Sequence, residues 1–336
     1  MNPIPSGTLV VRVALATLVL LAGGCTWGGP MSTVVPASDF ARSILGVYAI
    51  ITWATALIGL TVFVALGYII VRYRARPDAP LPAQIRGHTF LELAWTIVPA
   101  LVLLVIAIPT IQIIFRTQSQ AAPPRGLAVQ VRGWQWWWEF RYPDLDVVTA
   151  NELHLPVGRT VVINLEGPDV IHSFWVPHLG GKRDVVPGRH NRIVLTPDRP
   201  GEHWGQCAEF CGASHANMGM RVIVQPAADF DAWVARQKAT PAEPSGLAAE
   251  GKAIFAKSAC VGCHTIEGVS AGVLGPNLTH FGSRTMLAAG MWPNTPDNVA
   301  AWVREPQRLK PGVKMPELGL TEEQANAVAA YLTGLK

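Results

Sequence analysis

Two long apolar runs, Ser43 to Val71 and Leu91 to Phe115, constrain this chain more than any other feature. Each exceeds the roughly 20 residues that a helix needs to cross the hydrocarbon core of a bilayer. Arg72, Arg74, Arg76 and Arg86 lie between them, against only Arg116 just beyond the second run. The positive-inside rule therefore puts the connecting loop in the cytoplasm and both long termini outside. The expectation is a transmembrane hairpin over 38–117 carrying exported domains. A hydrophobic fraction of 50% agrees with a membrane portion, and 336 residues leave room for two or three domains. The formal net charge of +4 is modest, and several of its arginines flank the apolar runs, so the charge reads as topology and not as nucleic-acid binding.

Residues 8–22 form a shorter apolar stretch that ends in Gly23-Gly24-Cys25. Its length and small-residue ending read as a secretion signal over 1–25. The small-small-Cys ending is similar to a lipoprotein processing site, although Ala22 stands where such sites usually carry leucine. Ordinary cleavage and an uncleaved anchor stay open beside lipidation of Cys25.

Beyond the short linker from Gln118 to Gly126 the pattern becomes strand-like. Leu127 to Arg132, Val161 to Leu165, Asn191 to Thr196 and Arg221 to Val224 are short β runs, broken by Pro187-Gly188 and Pro200-Gly201. A Greek-key barrel or sandwich over 126–235 is expected. The stretch Trp134-Gln135-Trp136-Trp137-Trp138 cannot bury every ring on one pleated strand, because alternate side chains face opposite sides. Some of that ring area should meet an interface or the membrane boundary.

Within this region Cys207-Ala-Glu-Phe-Cys211-Gly-Ala-Ser-His215-Ala-Asn-Met218 packs two thiols, an imidazole and a thioether into one short stretch. The spacing of Cys207, Cys211 and His215 would suit one helix face, but Gly205 and Gly212 favour a loop that turns every donor onto one centre. Soft sulfur donors beside imidazole favour copper over hard cations. A structural zinc site needs only four ligands and would leave Met218 unexplained. A second histidine must come from elsewhere, and His172 in Asp169-Val-Ile-His172 is the candidate. His154, His178, His190 and His203 match no ligand position, so surface or loop roles are expected for them; His178 is the closest in sequence to His172.

After a polar linker over 236–246 comes Cys260-Val-Gly-Cys263-His264. In this pattern two cysteines hold the haem vinyl groups and the histidine reaches the iron. A methionine sixth ligand would favour reduced iron. Met286, Met291 and Met315 are available, and Gly312-Val-Lys-Met315-Pro, similar to the ligand loop of small cytochromes c, makes Met315 the expected one. Thr321-Glu-Glu should cap a final amphipathic helix. Gly246 to the C-terminus carries eight Lys/Arg and seven Asp/Glu, so no lysine-rich face names an electron donor.

Together these motifs resemble subunit II of the haem-copper cytochrome c oxidases, with a cytochrome c domain fused at the C-terminus, over roughly residues 38–336. The resemblance implies a multidomain membrane protein: a transmembrane α-hairpin, a cupredoxin-like Greek-key β-barrel and, over 247–336, an all-α cytochrome c domain. It implies a binuclear copper centre (CuA) held by His172, Cys207, the carbonyl of Glu209, Cys211, His215 and Met218, with Glu209 also reaching a magnesium ion shared with subunit I. It implies a covalent haem c on Cys260, Cys263, His264 and Met315, with Pro276 orienting the imidazole. Trp136 matches the tryptophan through which electrons reach the copper; a packing role is the alternative. Glu92, in Glu-x-x-Trp-Thr-x-x-Pro, matches the glutamate at the mouth of a proton channel; a favourable helix-dipole charge is the alternative. The implied location is a bacterial inner membrane with the copper and haem domains outside. The implied partners are subunits I and III and a soluble or membrane-bound cytochrome donor. Three other readings compete: a nitrous oxide reductase-like copper protein, a quinol oxidase subunit II, and a membrane-anchored copper carrier. The hairpin, the retained copper ligands and the haem motif argue against them in that order.

Overall fold

The computed structural model describes residues 28–74, 83–118 and 126–336; the signal expected over 1–25, with Cys25, and Arg76 lie outside the described residues. Helix α1 (Asp39–Arg72) and helix α2 (Thr89–Gln118) cover the two apolar runs, and neither window is buried inside the protein. At 1.5 Å per residue they reach roughly 50 and 45 Å, well beyond the ~30 Å of a hydrocarbon core.

The N-terminus of α1 is built into the next domain. Ser38 is its N-cap: Oγ accepts from the Ala41 amide at 3.0 Å and donates to the Leu179 carbonyl at 2.7 Å. Asp39 Oδ1 accepts from the Thr196 amide at 2.7 Å, and the Phe40 ring lies against Gly180. The capping residue that starts the helix thus also fixes it to the β domain.

That domain is a sandwich of two five-stranded sheets. One runs β3 (Val147–Ala150), β2 (Trp137–Tyr142), β1 (Leu127–Trp134), β5 (Val161–Glu166), β8 (Asn191–Leu195). The other runs β4 (Glu152–Pro156), β10 (Gly219–Gln225), β9 (Gly201–Cys207), β6 (His172–Trp175), β7 (Arg183–Val185). β1 pairs β5 and β10 pairs β4 in parallel; the other pairings are antiparallel. Alternation along β1 buries Leu127, Val129 and Val131 against Leu153, Leu155, Phe174 and Val222 of the facing sheet. Helix α3 (Ala227–Gln237) closes the far end with Phe230 and Trp233, and runs two residues into the expected linker. His154 stacks on Trp233, with ring centroids 4.2 Å apart, and His203 is buried against His178 at 3.0 Å. The surface or loop role expected for His154 and His203 is therefore wrong, because packing partners from distant segments enclose both rings.

The C-terminal domain is helical: α4 (Leu247–Lys257), the single turn α5 (Cys260–Cys263), α6 (Pro296–Arg304), α7 (Pro306–Leu309) and α8 (Glu322–Gly334). Thr321 and Gln324 form a capping box at the start of α8, as the sequence predicts. Phe255, Val299, Val328 and Tyr331 centre its core.

Candidate functional site

Pairing of β6 with β9 sets Phe174 opposite Cys207, and so brings His172 to the same end of the sandwich as the cysteine loop. The loop is closed at its base where the Cys207 amide donates to the Met218 carbonyl at 2.9 Å. It carries one 3-10 turn, His215–Asn217, and no long helix, as the glycines require. All six expected donors meet there. The sulfurs of Cys207 and Cys211 are 3.8 Å apart at the centre. Cys207 Sγ lies 3.8 Å from His172 Nδ1 and 3.2 Å from the Glu209 carbonyl oxygen. Cys211 Sγ lies 3.5 Å from His215 Nδ1 and 3.8 Å from Met218 Sδ.

This donor set fits copper better than zinc. Two central sulfurs, each flanked by an imidazole and a weaker donor, exceed what a four-coordinate ion takes. The two thiols oppose each other's ionisation: hydrogen bonding from Cys211, helped by His172, holds the Cys207 thiol below its usual range, and the same contact holds the Cys211 thiol above it. Asp169, to which the sequence assigns no role, orients the first histidine. Its Oδ1 lies 2.9 Å from His172 Nε2, and its Oδ2 accepts from the Gln135 amide at 2.8 Å. A carboxylate on the outer nitrogen fixes the tautomer that leaves Nδ1 free for a metal. Burial opposes a proton on His172, yet Asp169 and Cys207 together raise its pKa.

Trp136 touches this centre directly. Its indole Nε1 donates to the Cys211 carbonyl at 3.0 Å, beside the Gln135 side-chain amide at 2.9 Å on the same oxygen. Its ring lies between Gly212 and Gly312, where added Cβ atoms would come within 3.1 Å and 3.0 Å of it. Gly312 belongs to the Met315 loop, so the indole touches both the copper loop and the cytochrome domain.

A cavity of about 390 Å³ is lined in part by that ring. Cys260, Cys263, His264, Met286 and Met315 line it from the cytochrome domain; Trp134, Trp136 and Trp137 line it from the β domain. The ring area that cannot be buried on one strand thus meets the chain's own C-terminal domain. Met291 does not line the cavity, whereas Met286 and Met315 both do. His264 Nδ1 donates to the Pro276 carbonyl at 2.8 Å, which leaves Nε2 as the available ligand atom. Burial lowers the His264 pKa and keeps the ring neutral, as ligation needs. Two buried donors on the cavity wall, Trp134 Nε1 and Arg284 Nε, have no partner among the described residues. An apolar cavity with two cysteines, a neutral histidine and unpaired donors that suit carboxylates fits haem.

Glu209 is exposed at the tip of the copper loop beside Phe210, which is 75% exposed. Glu92 stands apart from these groups, in the first turn of α2, with its carboxylate against the backbone of Gly87.

Comparison with known proteins agrees with this arrangement. Residues 33–113 match the family described as cytochrome c oxidase subunit II, transmembrane domain, residues 146–225 its periplasmic domain, and residues 248–336 cytochrome c. Cytochrome c oxidase subunit 2 of Alkalihalophilus pseudofirmus is 37% identical over 329 residues, covering 96% of each chain. The chain belongs to the cytochrome c oxidase subunit II family. The corresponding protein of Bacillus subtilis is 35% identical over 346 residues, again with 96% of each chain covered. The crystal structure of the periplasmic domain of subunit II from Bradyrhizobium japonicum is similar to 35% of this chain and 97% of that one, at 31% identity and a TM-score of 0.34. As a subunit II, the chain is a membrane component of a haem-copper terminal oxidase, with a copper-binding and a cytochrome c domain outside the membrane.

Lys310, Asp169 and Glu152 are the residues that sequence reasoning missed. Asp169 had a weak signal, three residues before His172; Lys310 and Glu152 had none.

Proposed function

We propose that this chain relays electrons one at a time from a covalent haem c to a binuclear copper centre, and on to the haem of subunit I, where oxygen is reduced to water and protons are pumped. Copper and haem supply the one-electron redox chemistry when bound. The chain's own residues supply placement. His172, Cys207, Glu209, Cys211, His215 and Met218 hold the copper pair; Cys260, Cys263, His264 and Met315 hold the haem. The observation that carries this reading is Trp136, which lines the haem cavity while its indole N–H bonds to the Cys211 carbonyl. A single, nearly buried aromatic ring thereby adjoins both sites. Glu209, at the exposed loop tip, would reach a magnesium ion shared with subunit I. Glu92, at the cytoplasmic start of α2, would sit at the mouth of the proton path. Subunit III and an external cytochrome donor complete the assembly. We place the signal at 1–25, the hairpin at 38–117, the copper domain at 126–235, the linker at 236–246 and the haem domain at 247–336.

The test is metal and haem content of the detergent-solubilised full chain, with the copper EPR spectrum. Two coppers per covalent haem sharing one unpaired electron, lost in Cys207→Ser, is the expected result. One copper, or zinc, with the spectrum of a single ion or none, would sink the binuclear assignment.

A further inference from the structure

Among the buried charged groups at the interface between the copper and haem domains, two are exchanged across it, beside Arg221 and Arg284. Lys310, on the haem domain, is 2% exposed, and its Nζ donates to the Trp136 carbonyl of the copper domain at 2.7 Å and to the Ala288 carbonyl at 3.0 Å. Glu152, on β4 of the copper domain, is also 2% exposed. Its Oε1 accepts from the Thr285 amide at 2.6 Å, the Thr285 hydroxyl at 2.7 Å and the Met286 amide at 3.0 Å, all on the haem domain. Each domain thus inserts one ionisable side chain into the backbone of the other. Two further bonds lie between these points: Ser214 Oγ donates to the Pro311 carbonyl at 2.6 Å, and the Gly219 amide to the Ala289 carbonyl at 3.0 Å.

Such groups add little net attraction, because each gives up its hydration. Burial pushes the Lys310 ammonium down to about 7 and raises the Glu152 pKa despite its three donors. What they add is selectivity of position. A domain docked a few ångströms away would strand a buried charge without its partners, at a cost larger than any apolar mismatch.

We propose that Lys310 and Glu152 form a reciprocal key that fixes the haem domain over Trp136, so that the chain holds its own electron donor in place and closes Trp136 to donors from outside. Trp136 is 6% exposed in this arrangement, so an external donor meets the haem and not the indole. Lys310 and Glu152 are positioning residues: neither touches the copper ligands, and Lys310 acts through the Trp136 backbone. This inference rests on the proposed Trp136 route, and the experiment separates the two.

Full-length chain loaded with copper and haem is compared with Lys310→Met and Glu152→Ala. Two readouts are taken: hydrogen exchange of the 285–290 segment, and the rate of haem-to-copper electron transfer after rapid photoreduction of the haem. The key predicts that exchange at Thr285 and Met286 speeds at least tenfold and transfer slows at least tenfold in each variant, with copper EPR and haem absorption unchanged. Lys310→Arg, which keeps a buried donor, recovers part of both losses. Unchanged exchange in both single variants and in the double variant overturns the key. Faster exchange with an unchanged transfer rate leaves the key standing and overturns the Trp136 route instead. If Glu152→Ala does not fold, Lys310→Met, which preserves the volume of the side chain, decides by the same two readouts.

Discussion

Gly312→Ala should uncouple the two redox sites while leaving each intact. Gly312 has φ +80°, in the left-handed region, where a side chain costs about 1–2 kcal/mol. The new methyl carbon would lie 3.0 Å from Trp136 Cη2 and 3.2 Å from Ala213 Cβ. Trp136 is confined, since Gly212 also lies close to its ring and its N–H is bonded to the Cys211 carbonyl. Ala213 belongs to the copper loop and is held by ligands on either side. The haem domain must therefore retreat as a unit, its Met315 loop with it, and overpacking of this kind costs about 1–3 kcal/mol. The two costs together come to about 3 kcal/mol, over a hundredfold in the ratio of docked to displaced domain at 1.4 kcal/mol per tenfold. Rapid photoreduction of the haem in the full chain, followed by the copper absorption band, measures the consequence. The haem-to-copper rate should fall at least tenfold, with the copper EPR spectrum and the haem absorption spectrum unchanged. A rate within twofold of the parent, with both spectra intact, would refute the idea that the indole is the bridge.

Two other outcomes follow from the same geometry. Asp169→Asn weakens the hold on His172, so copper affinity measured by chelator competition should fall about 10–100-fold; unchanged affinity would remove Asp169 from the site. His154 has its pKa lowered from 6.5 to about 4, by burial first and Arg236 second, while Gln225 opposes. The folded value lies below the unfolded one, so this contribution is present above about pH 6.5 and is lost as pH falls toward 4. At 1.36 kcal/mol per pH unit it amounts to about 3 kcal/mol. His154→Phe, which keeps the stack on Trp233, should flatten the acid limb of stability in urea titrations of the full chain between those pH values; an unchanged limb would exclude His154 as its source.

The membrane hairpin, the sandwich and the helical domain were legible because each rests on a period or a run that a single sequence displays. The copper donors were legible for a different reason. Chemistry places Cys207, Cys211, His215 and Met218 within one loop, so only His172 had to be brought in by strand pairing. Lys310 could not be read. Among eight basic residues of its domain it looks like any lysine before a Pro-Gly turn, and its partner Trp136 lies 174 residues away. Glu152 similarly resembles an exposed strand-edge acid until Thr285 and Met286 cover it. His154 was misread because the ring that encloses it comes from Trp233, on a helix whose docking no local pattern announces. What escaped the sequence is what depends on one distant segment resting on another.

Helix α1 meets the sandwich without a hinge, since Ser38 and Asp39 bond to Leu179 and Thr196 in the act of starting the helix. The copper loop is consequently geared to the membrane: its height and its compass bearing are set by the helical phase of α1. One residue inserted between Ala41 and the apolar run would lift the sandwich about 1.5 Å and swing it about 100° around the helix axis. The exposed Glu209–Phe210 tip would then point in a different direction over the membrane surface. The haem domain takes its bearing from the sandwich on which it is docked, through Lys310 and Glu152, and not from the 238–246 tether. An oxidase of this design can therefore tolerate changes in how its cytochrome c domain is tethered, but not the loss of a single residue from the first span.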